Sequence, residues 1–311
     1  VNTPTTAEGT PAASAQSEPV TVNAETKDAT VALSAATARV AFQGERGAFS
    51  EEAALRLLGE HVTLVPRPTF ESLFASVGEG VADFALAPVE NTLAGSVQKS
   101  YDLLLESSLH IVAEVVIRIR HCLIGCPGSS FDSIRAVESH PVALAQCERL
   151  FAAHARLRRV TADDTAGSVA EVVRRADPTR AAIAGRRAAE FYGGVILREG
   201  VEDDRENYTR FVLLAPNFEV SESADKLSLV LTLPHRPGAL HDALAPFARR
   251  RIDLLKIESR PVKGEPWQYH IFLDLRASLS DADAVGALEE LRERAASVRV
   301  LGCYPSARGW G

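Results

Sequence analysis

Five consecutive residues, Asn207-Tyr208-Thr209-Arg210-Phe211, put a carboxamide, an alcohol and a guanidinium within one short run. Side chains of these types donate hydrogen bonds to oxygen and hold anions. Four more polar turns are spread along the chain: Gly44 to Ser50, Glu90-Asn91-Thr92 with Gly95-Ser96 behind it, Ser139-His140-Pro141, and Asp163 to Ser168. Each stands beside a strand or at the start of a helix, where main-chain N–H groups and the helix dipole favour an anion. Each is also readable as an ordinary turn. Ser50 fits an N-cap with Glu51 and Glu52 in the first turn, Ser139 or His140 caps a helix that Pro141 begins, and Asp163-Asp164-Thr165 reads as a helix start. Two later segments, Gly238-Ala239-Leu240 and Glu258-Ser259-Arg260-Pro261, suit a small-ligand sensor, since Gly238 lets main chain approach a carboxylate at a helix start. They too have plain readings, as a helix-entry turn after Pro237 and as a polar strand end.

Positioning these turns takes alternating strands and helices. The apolar periodicity predicts strands at Arg39 to Phe42, Val62 to Val65 and Phe84 to Val89, with helices at Glu51 to Leu58, Phe70 to Val77 and Val97 to Leu105. Apolar runs follow at Ile111 to Ile119 and His121 to Ile124. A second set has strands near Val137, near Val160 and at Ala181 to Ala184, with helices at Val142 to Ala153, Ala166 to Arg175 and Arg186 to Tyr192. The rhythm implies α/β layers with a mostly parallel sheet. Thr209 to Leu214 reads as a late strand returning to the first lobe, which leaves a cleft between two lobes. After a polar stretch, residues 216–225, the alternation Leu227, Leu229, Leu231, Leu233 starts a βαββαβ unit with helices at Ala239 to Arg250 and Ala282 to Ala296. The expected fold is α/β: a two-lobed, periplasmic-binding-protein-like region over 39–215, its second lobe at about 120–190, a linker at 216–225, and a ferredoxin-like unit over 226–304.

Composition narrows the function. The 311 residues are 46% hydrophobic and carry a net charge of -7, which suits a globular chain with a sizeable core and argues against nucleic acid or an anionic membrane as partner. The basic run Arg156 to Arg159 is short and reads as a solvated surface. No apolar run reaches eighteen residues, the length a membrane span needs. Residues 1–38 are rich in Thr, Ala, Ser and Glu without a basic or apolar targeting pattern, so a disordered tail and a cytoplasmic location are expected. Cys122, Cys126, Cys147 and Cys303 do not complete a zinc pattern and read as reduced, partly buried thiols.

Taken in order, the polar turns resemble those of the prephenate dehydratase family, which includes arogenate dehydratases. Gly44 to Ser50 resembles the family's G-x-x-G-x-F-S segment, Pro88 to Val97 its P-x-E-N-S-x-x-G-S-V segment, and Ser139 to Cys147 its S-H-P-x-A-L-x-Q-C segment. Asp164 to Ala166 is similar to its (S/D)-T-A segment and Asn207 to Phe211 to its N-x-T-R-F signature. The C-terminal unit resembles an ACT domain, whose G-A-L and E-S-R-P segments bind phenylalanine. Thr92 stands where the family often has Ser, keeping the hydroxyl. The wording at Asp164 to Gly167 and Ser100 to Leu105 is closer to arogenate dehydratases. No helical chorismate mutase segment precedes the catalytic part, so the bifunctional form is not expected.

The resemblance implies a lyase of phenylalanine biosynthesis that decarboxylates and dehydrates prephenate to phenylpyruvate without a cofactor or metal. Arogenate, giving phenylalanine directly, is the alternative substrate. It implies Thr209 as the donor to the leaving hydroxyl and Asn91, Thr92, Thr165 and Asn207 as donors to substrate oxygens. Ser50 joins the substrate-binding set. Arg210 either meets a carboxylate or holds its strand in place, Phe211 packs beneath the site, and Glu90 is an alternative acid or a structural partner. His140 either titrates or caps. Phenylalanine is the implied effector, at Gly238, Ala239, Leu240 and Glu258 to Pro261, and a homodimer or homotetramer the implied assembly. Two other readings are a two-lobed amino-acid or organic-acid binding protein and a ligand-sensing regulator, the latter without a DNA-binding helix or basic face.

Overall fold

The computed structural model describes residues 38–307, so the expected tail lies almost wholly outside the described residues. The first lobe opens with β1 (Arg39–Gln43), α1 (Phe49–Leu58), β2 (Thr63–Arg67), α2 (Phe70–Gly78) and β3 (Phe84–Asn91). It continues with β4 (Gly95–Ser96), α3 (Gln98–Glu106) and β5 (His110–Arg118). The chain crosses into the second lobe through β6 (Cys122–Gly125), β7 (Ala136–Ser139), α4 (Pro141–Ala145), α5 (Glu148–Ala153) and β8 (Arg158–Thr161). That lobe ends with α6 (Thr165–Arg175), β9 (Arg180–Ala184), α7 (Arg186–Tyr192) and β10 (Val195–Glu199). It returns by β11 (Tyr208–Ala215). The C-terminal unit is β12 (Lys226–Thr232), α8 (Ala239–Arg249), β13 (Asp253–Pro261), β14 (Tyr269–Arg276), α9 (Ala282–Arg294) and β15 (Ser297–Tyr304).

Two sheets carry these elements. One runs β13-β14-β12-β15-β5-β11-β3-β1-β2, with β4 on β3, and the other β10-β6-β9-β7-β8. The α/β expectation is met, but the parallel character is diluted. β1 pairs in parallel with β2 and β3, whereas β11 runs antiparallel to both β3 and β5 because it re-enters the first lobe from the second. β10 was not foreseen. It is a short, largely exposed strand antiparallel to β6, and its Val195-Ile196-Leu197 run is too brief to show a period.

The helix expected over Val142 to Ala153 is broken in two. Asp203, at the far end of the second lobe, accepts from the main-chain N–H groups of Glu148 at 2.7 Å and Arg149 at 2.9 Å and so caps a new helix start. Its own N–H donates to the Gln146 carbonyl at 2.7 Å. The break leaves Gln146 at a corner. Ser50 is not an N-cap either. Ala48 holds that position without a side-chain cap, and the Glu51 carboxylate accepts from the N–H of Gly47, just before it, at 3.0 Å.

Leu227, Leu229 and Leu231 pack with Leu273 and Leu275 against Phe247, Leu288 and Leu291 of α8 and α9. The other face of the same strands, with Val230, Phe272, Leu301 and Tyr304, closes onto the core of the first lobe beside Tyr101, Val212 and Leu214. Strands β12, β14 and β15 therefore bury apolar side chains on both faces. Gly302 pairs in parallel with Ile111, which joins the C-terminal strands to those of the first lobe in one sheet, and a Cβ at Gly302 would lie 2.1 Å from the Ile111 carbonyl oxygen. Only glycine admits that approach.

Candidate active site

Antiparallel pairing places Thr209 of β11 opposite Asn91 of β3, and Arg210 opposite Glu90. Because side chains alternate across a strand, each residue of these pairs faces away from its neighbour in sequence. Asn91 is the hub of the first face. Its Oδ1 accepts the N–H groups of Leu93 and Ala94 at 3.0 and 2.8 Å, and its Nδ2 donates to Asn207 Oδ1 at 2.7 Å, to the Tyr208 carbonyl at 3.0 Å and to Thr209 Oγ1 at 2.9 Å. Fully buried Asn207 in turn donates from Nδ2 to Gln146 Oε1 at 3.1 Å, a bond that crosses between the lobes. The same oxygen lies 3.0 Å from His121 Nε2. Thr209 is 9% exposed, and its alcohol accepts from Asn91 while its own proton is taken by no described residue. A pre-oriented hydroxyl donor at the lobe boundary is the chemical capacity of this face.

The other face belongs to the C-terminal unit. Arg210 Nη1 lies 2.8 Å from Asp274 and 3.1 Å from Glu114, and its Nε lies 3.4 Å from Glu90. Glu90 accepts from Lys256 of β13 at 2.7 Å, and Lys226 donates to both Glu114 oxygens at 2.9 Å. Ser228 donates to Asp274 at 2.6 Å and lies 2.8 Å from the Tyr304 hydroxyl. Burial opposes the charge on Arg210, but Asp274 and Glu114 outweigh it and hold its pKa above the ordinary value. Arg210 and Glu90 thus lie at the junction with the C-terminal unit, a placement in keeping with Arg210 holding its strand in place and Glu90 acting as a structural partner. Phe211 is 2% exposed, packed in the core beneath α1 with Leu213 and Val115.

The remaining candidates fall in several places. Thr92 donates to the Glu206 carbonyl at 2.7 Å and accepts from Tyr208 N–H at 2.9 Å, so its alcohol fastens the β3–β4 turn to the start of β11. Asn91 and Asn207 are likewise committed to the network. Thr165 is the half-buried first residue of α6, behind the Asp164 N-cap, and is not bonded to the Asn91 group. Ser50 is buried in α1. The Gly44 to Ser50 loop lies against the second lobe: a Cβ at Gly47 would stand 2.7 Å from Ala188 Cα, and one at Gly44 3.0 Å from Asp164 Oδ2. Fully buried Glu51 joins the lobes, accepting from Arg46 at 2.7 Å and from Arg187 of α7 at 2.9 Å. His140 caps α4 through Nδ1.

In the C-terminal unit, Gly238 has φ 81° at the start of α8, with Ala239 nearly buried and Leu240 40% exposed. Glu258 and Arg260 are half-buried and paired. Ser96 donates to Glu258 at 2.6 Å, and Arg260 forks onto Asp102 at 2.9 to 3.0 Å, so alternate β13 residues grip β4 and α3, while Ser259 and Pro261 stay exposed. All four cysteines are free and buried, and burial pushes the Cys122 thiol up to about 11. No group of three or more His, Cys, Asp or Glu side chains among the described residues could hold a metal.

Gln146 and His121 were not among the site residues expected from sequence. Gln146 sits within the Ser139 to Cys147 segment already singled out, whereas nothing local marks His121, which gains its place through a contact 25 residues away.

Residues 40–218 match the family described as Prephenate dehydratase, and residues 228–293 the ACT domain. The chain is 41% identical over 278 residues to arogenate dehydratase/prephenate dehydratase 2, chloroplastic, of Arabidopsis thaliana, covering 86% of this chain and 72% of that protein. Among solved structures it is similar to GqqA, described as a novel type of quorum-quenching acylase, at 32% identity and a TM-score of 0.81, covering 87% of this chain and 98% of that one. It is also similar to the prephenate dehydratase of Arthrobacter aurescens in complex with L-Phe, at 30% identity and a TM-score of 0.79, covering 86% and 89%.

Proposed function

The chain belongs to the prephenate dehydratase family and carries an ACT domain, and from that premise we propose that Thr209 protonates or hydrogen-bonds the leaving hydroxyl of prephenate in a cleft between the two lobes. Decarboxylation releases an electron pair into the ring, the C–O bond breaks as the ring becomes aromatic, and the departing hydroxide takes a proton to leave as water. The substrate ring is its own electron sink. What the protein must add is a donor at the oxygen and anchors for two carboxylates. The observation that carries this reading is the Thr209 alcohol, which accepts from Asn91 and keeps its proton uncommitted. Uncommitted amide hydrogens on Gln146 and the α6 N-terminus at Thr165 are the proposed carboxylate partners.

Arogenate is the alternative substrate. An acylase reaction would require a nucleophile activated by a base. Ser139 instead donates to the Ile183 carbonyl at 2.6 Å, and burial raises the pKa of the Cys122 thiol.

Phenylalanine is the proposed effector, bound near Gly238, Leu240, Ser259 and Pro261 of the ACT domain. Strand β13 is a sheet edge with exposed Leu254, Leu255 and Ile257, which supports side-by-side pairing with a second copy. No helix among the described residues is long and apolar enough to cross a membrane, and a cytoplasmic location is proposed. Incubation with prephenate and with arogenate, following phenylpyruvate and phenylalanine with and without added phenylalanine, tests the whole reading. Turnover of neither substrate would overturn it.

A further inference from the structure

The hydrogen-bond network at Thr209 has a direction, and the main chain sets it. Main-chain N–H groups only donate, so the Asn91 oxygen that receives Leu93 and Ala94 is unambiguously Oδ1, and Nδ2 is the donor end. The Asn207 atom facing Nδ2 must then be Oδ1, which turns the Asn207 amide nitrogen toward Gln146. The Gln146 atom that meets it must be Oε1. Only one role remains for His121 Nε2, 3.0 Å from that same oxygen: it carries the proton. His121 Nδ1, which has no hydrogen-bond partner, is the bare nitrogen.

A second observation fits this assignment. The imidazole is 2% exposed and lies edge-on to Phe49, with ring centroids 5.6 Å apart. A proton on Nδ1 would be a buried charge facing no acceptor, and burial lowers the pKa of this ring. The motif residue Phe49 thus walls the histidine, and a Cβ at Gly185 would stand 3.0 Å from that phenyl ring.

We propose that His121, as the neutral Nε2–H tautomer, is a positioning residue: with Asn207 it is one of two donors that pin the Gln146 oxygen, so that Gln146 presents its amide hydrogens and not its oxygen to the bound substrate. The inference rests on the dehydratase reading of the same cleft. Removing one donor frees the Gln146 carboxamide to rotate and costs its orientation in the complex.

Long-range proton–nitrogen correlation spectra of the ligand-free protein labelled with 15N-histidine read the tautomer directly. The expected result is one histidine with protonated Nε2 and bare Nδ1 whose signals vanish in His121→Gln; an Nδ1–H tautomer or an imidazolium at neutral pH overturns the assignment. In steady-state kinetics, His121→Leu should lose about tenfold to a hundredfold in kcat/KM, while His121→Gln, whose amide nitrogen can reach the Nε2 position, should stay within about threefold of the wild type. Equal losses in the two variants, or an unimpaired Leu variant, overturn the role. If the Leu variant does not fold, a tenfold or greater loss in His121→Gln does the same. The tautomer is read without turnover, so a failure of the dehydratase reading shows itself separately, as a wild-type protein inert toward both substrates.

Discussion

Arg210 Nη1 stands 2.8 Å from Asp274 Oδ2, which ties the residue after Thr209 to the central part of the ACT sheet, 64 positions further along the chain. Glu90, the residue before Asn91, is tied in the same way to Lys256 at 2.7 Å. Both strands that carry the candidate active-site face therefore present their alternate residues to the regulatory unit, and a shift of β13 or β14 must pull on β3 and β11.

This arrangement makes Lys256 a coupling residue that touches none of the active-site groups. Lys256→Met should keep kcat without effector within about threefold and weaken inhibition by phenylalanine by about fivefold or more, in the range typical of coupling between sites. Inhibition curves for the two proteins decide it, and superimposable curves would remove Lys256 from the path.

Thr209→Val keeps the shape of the side chain and deletes the alcohol. We expect kcat to fall about a hundredfold with KM within a few fold, as for a group that acts in the transition state. Thr209→Ser should retain most of the activity, since Asn91 still has an oxygen to orient. Near-normal turnover in the Val variant would take Thr209 out of the mechanism.

Acid should weaken the junction and the lobe interface together. Burial alone would raise Asp274 and Glu51, but Arg210 and Lys226 at the first, and Arg46 and Arg187 at the second, prevail and hold both carboxyls below their ordinary pKa. A depressed pKa in the folded state adds stability that is full above the unfolded value, about 4, and fades as pH falls through the folded value. The Tm gap between the wild type and Asp274→Asn should thus be constant from pH 5 to 7 and close below about pH 4. A gap independent of pH would refute the ion-pair account.

Gly302→Ala tests the continuity of the sheet. Its Cβ would sit 2.1 Å from the Ile111 carbonyl oxygen, a main-chain atom that cannot swing aside, so β15 and β5 must separate. Overpacking of this kind costs roughly 1–3 kcal/mol, or about 2–4 °C in Tm for a chain of this size. Calorimetry should show the loss, and an unchanged Tm would mean that the pairing contributes nothing.

Much of the fold was legible before any coordinates. The period-2 leucines of β12 and the alternation of apolar runs with helical patterns placed nearly every element, because each buries one face whatever its partner is. The exceptions had tertiary causes. The single helix expected over Val142 to Ala153 is cut by Asp203, about fifty positions away, and β10 forms only because β6 offers an unpaired edge. The site was less legible. The resemblance to the dehydratase family implied roles for Asn91, Asn207 and Thr209, but the residues alone left Glu90 and Arg210, in the same short segments, with a substrate and a structural reading each.

The sequence by itself determined most of the strands and helices, which segments carry polar side chains, and the family to which that combination belongs. The tertiary structure alone decided which way each polar side chain faces. Two neighbours on a strand point to opposite sides, and their roles depend on what covers each side: for Thr209 the lobe boundary, for Arg210 the carboxylates of Asp274 and Glu114. It also decided the direction of the hydrogen bonds. An amide can donate or accept until a fixed main-chain donor settles it, and at Asn91 that donor orders bonds to Asn207, 116 positions away, and onward to Gln146 and His121.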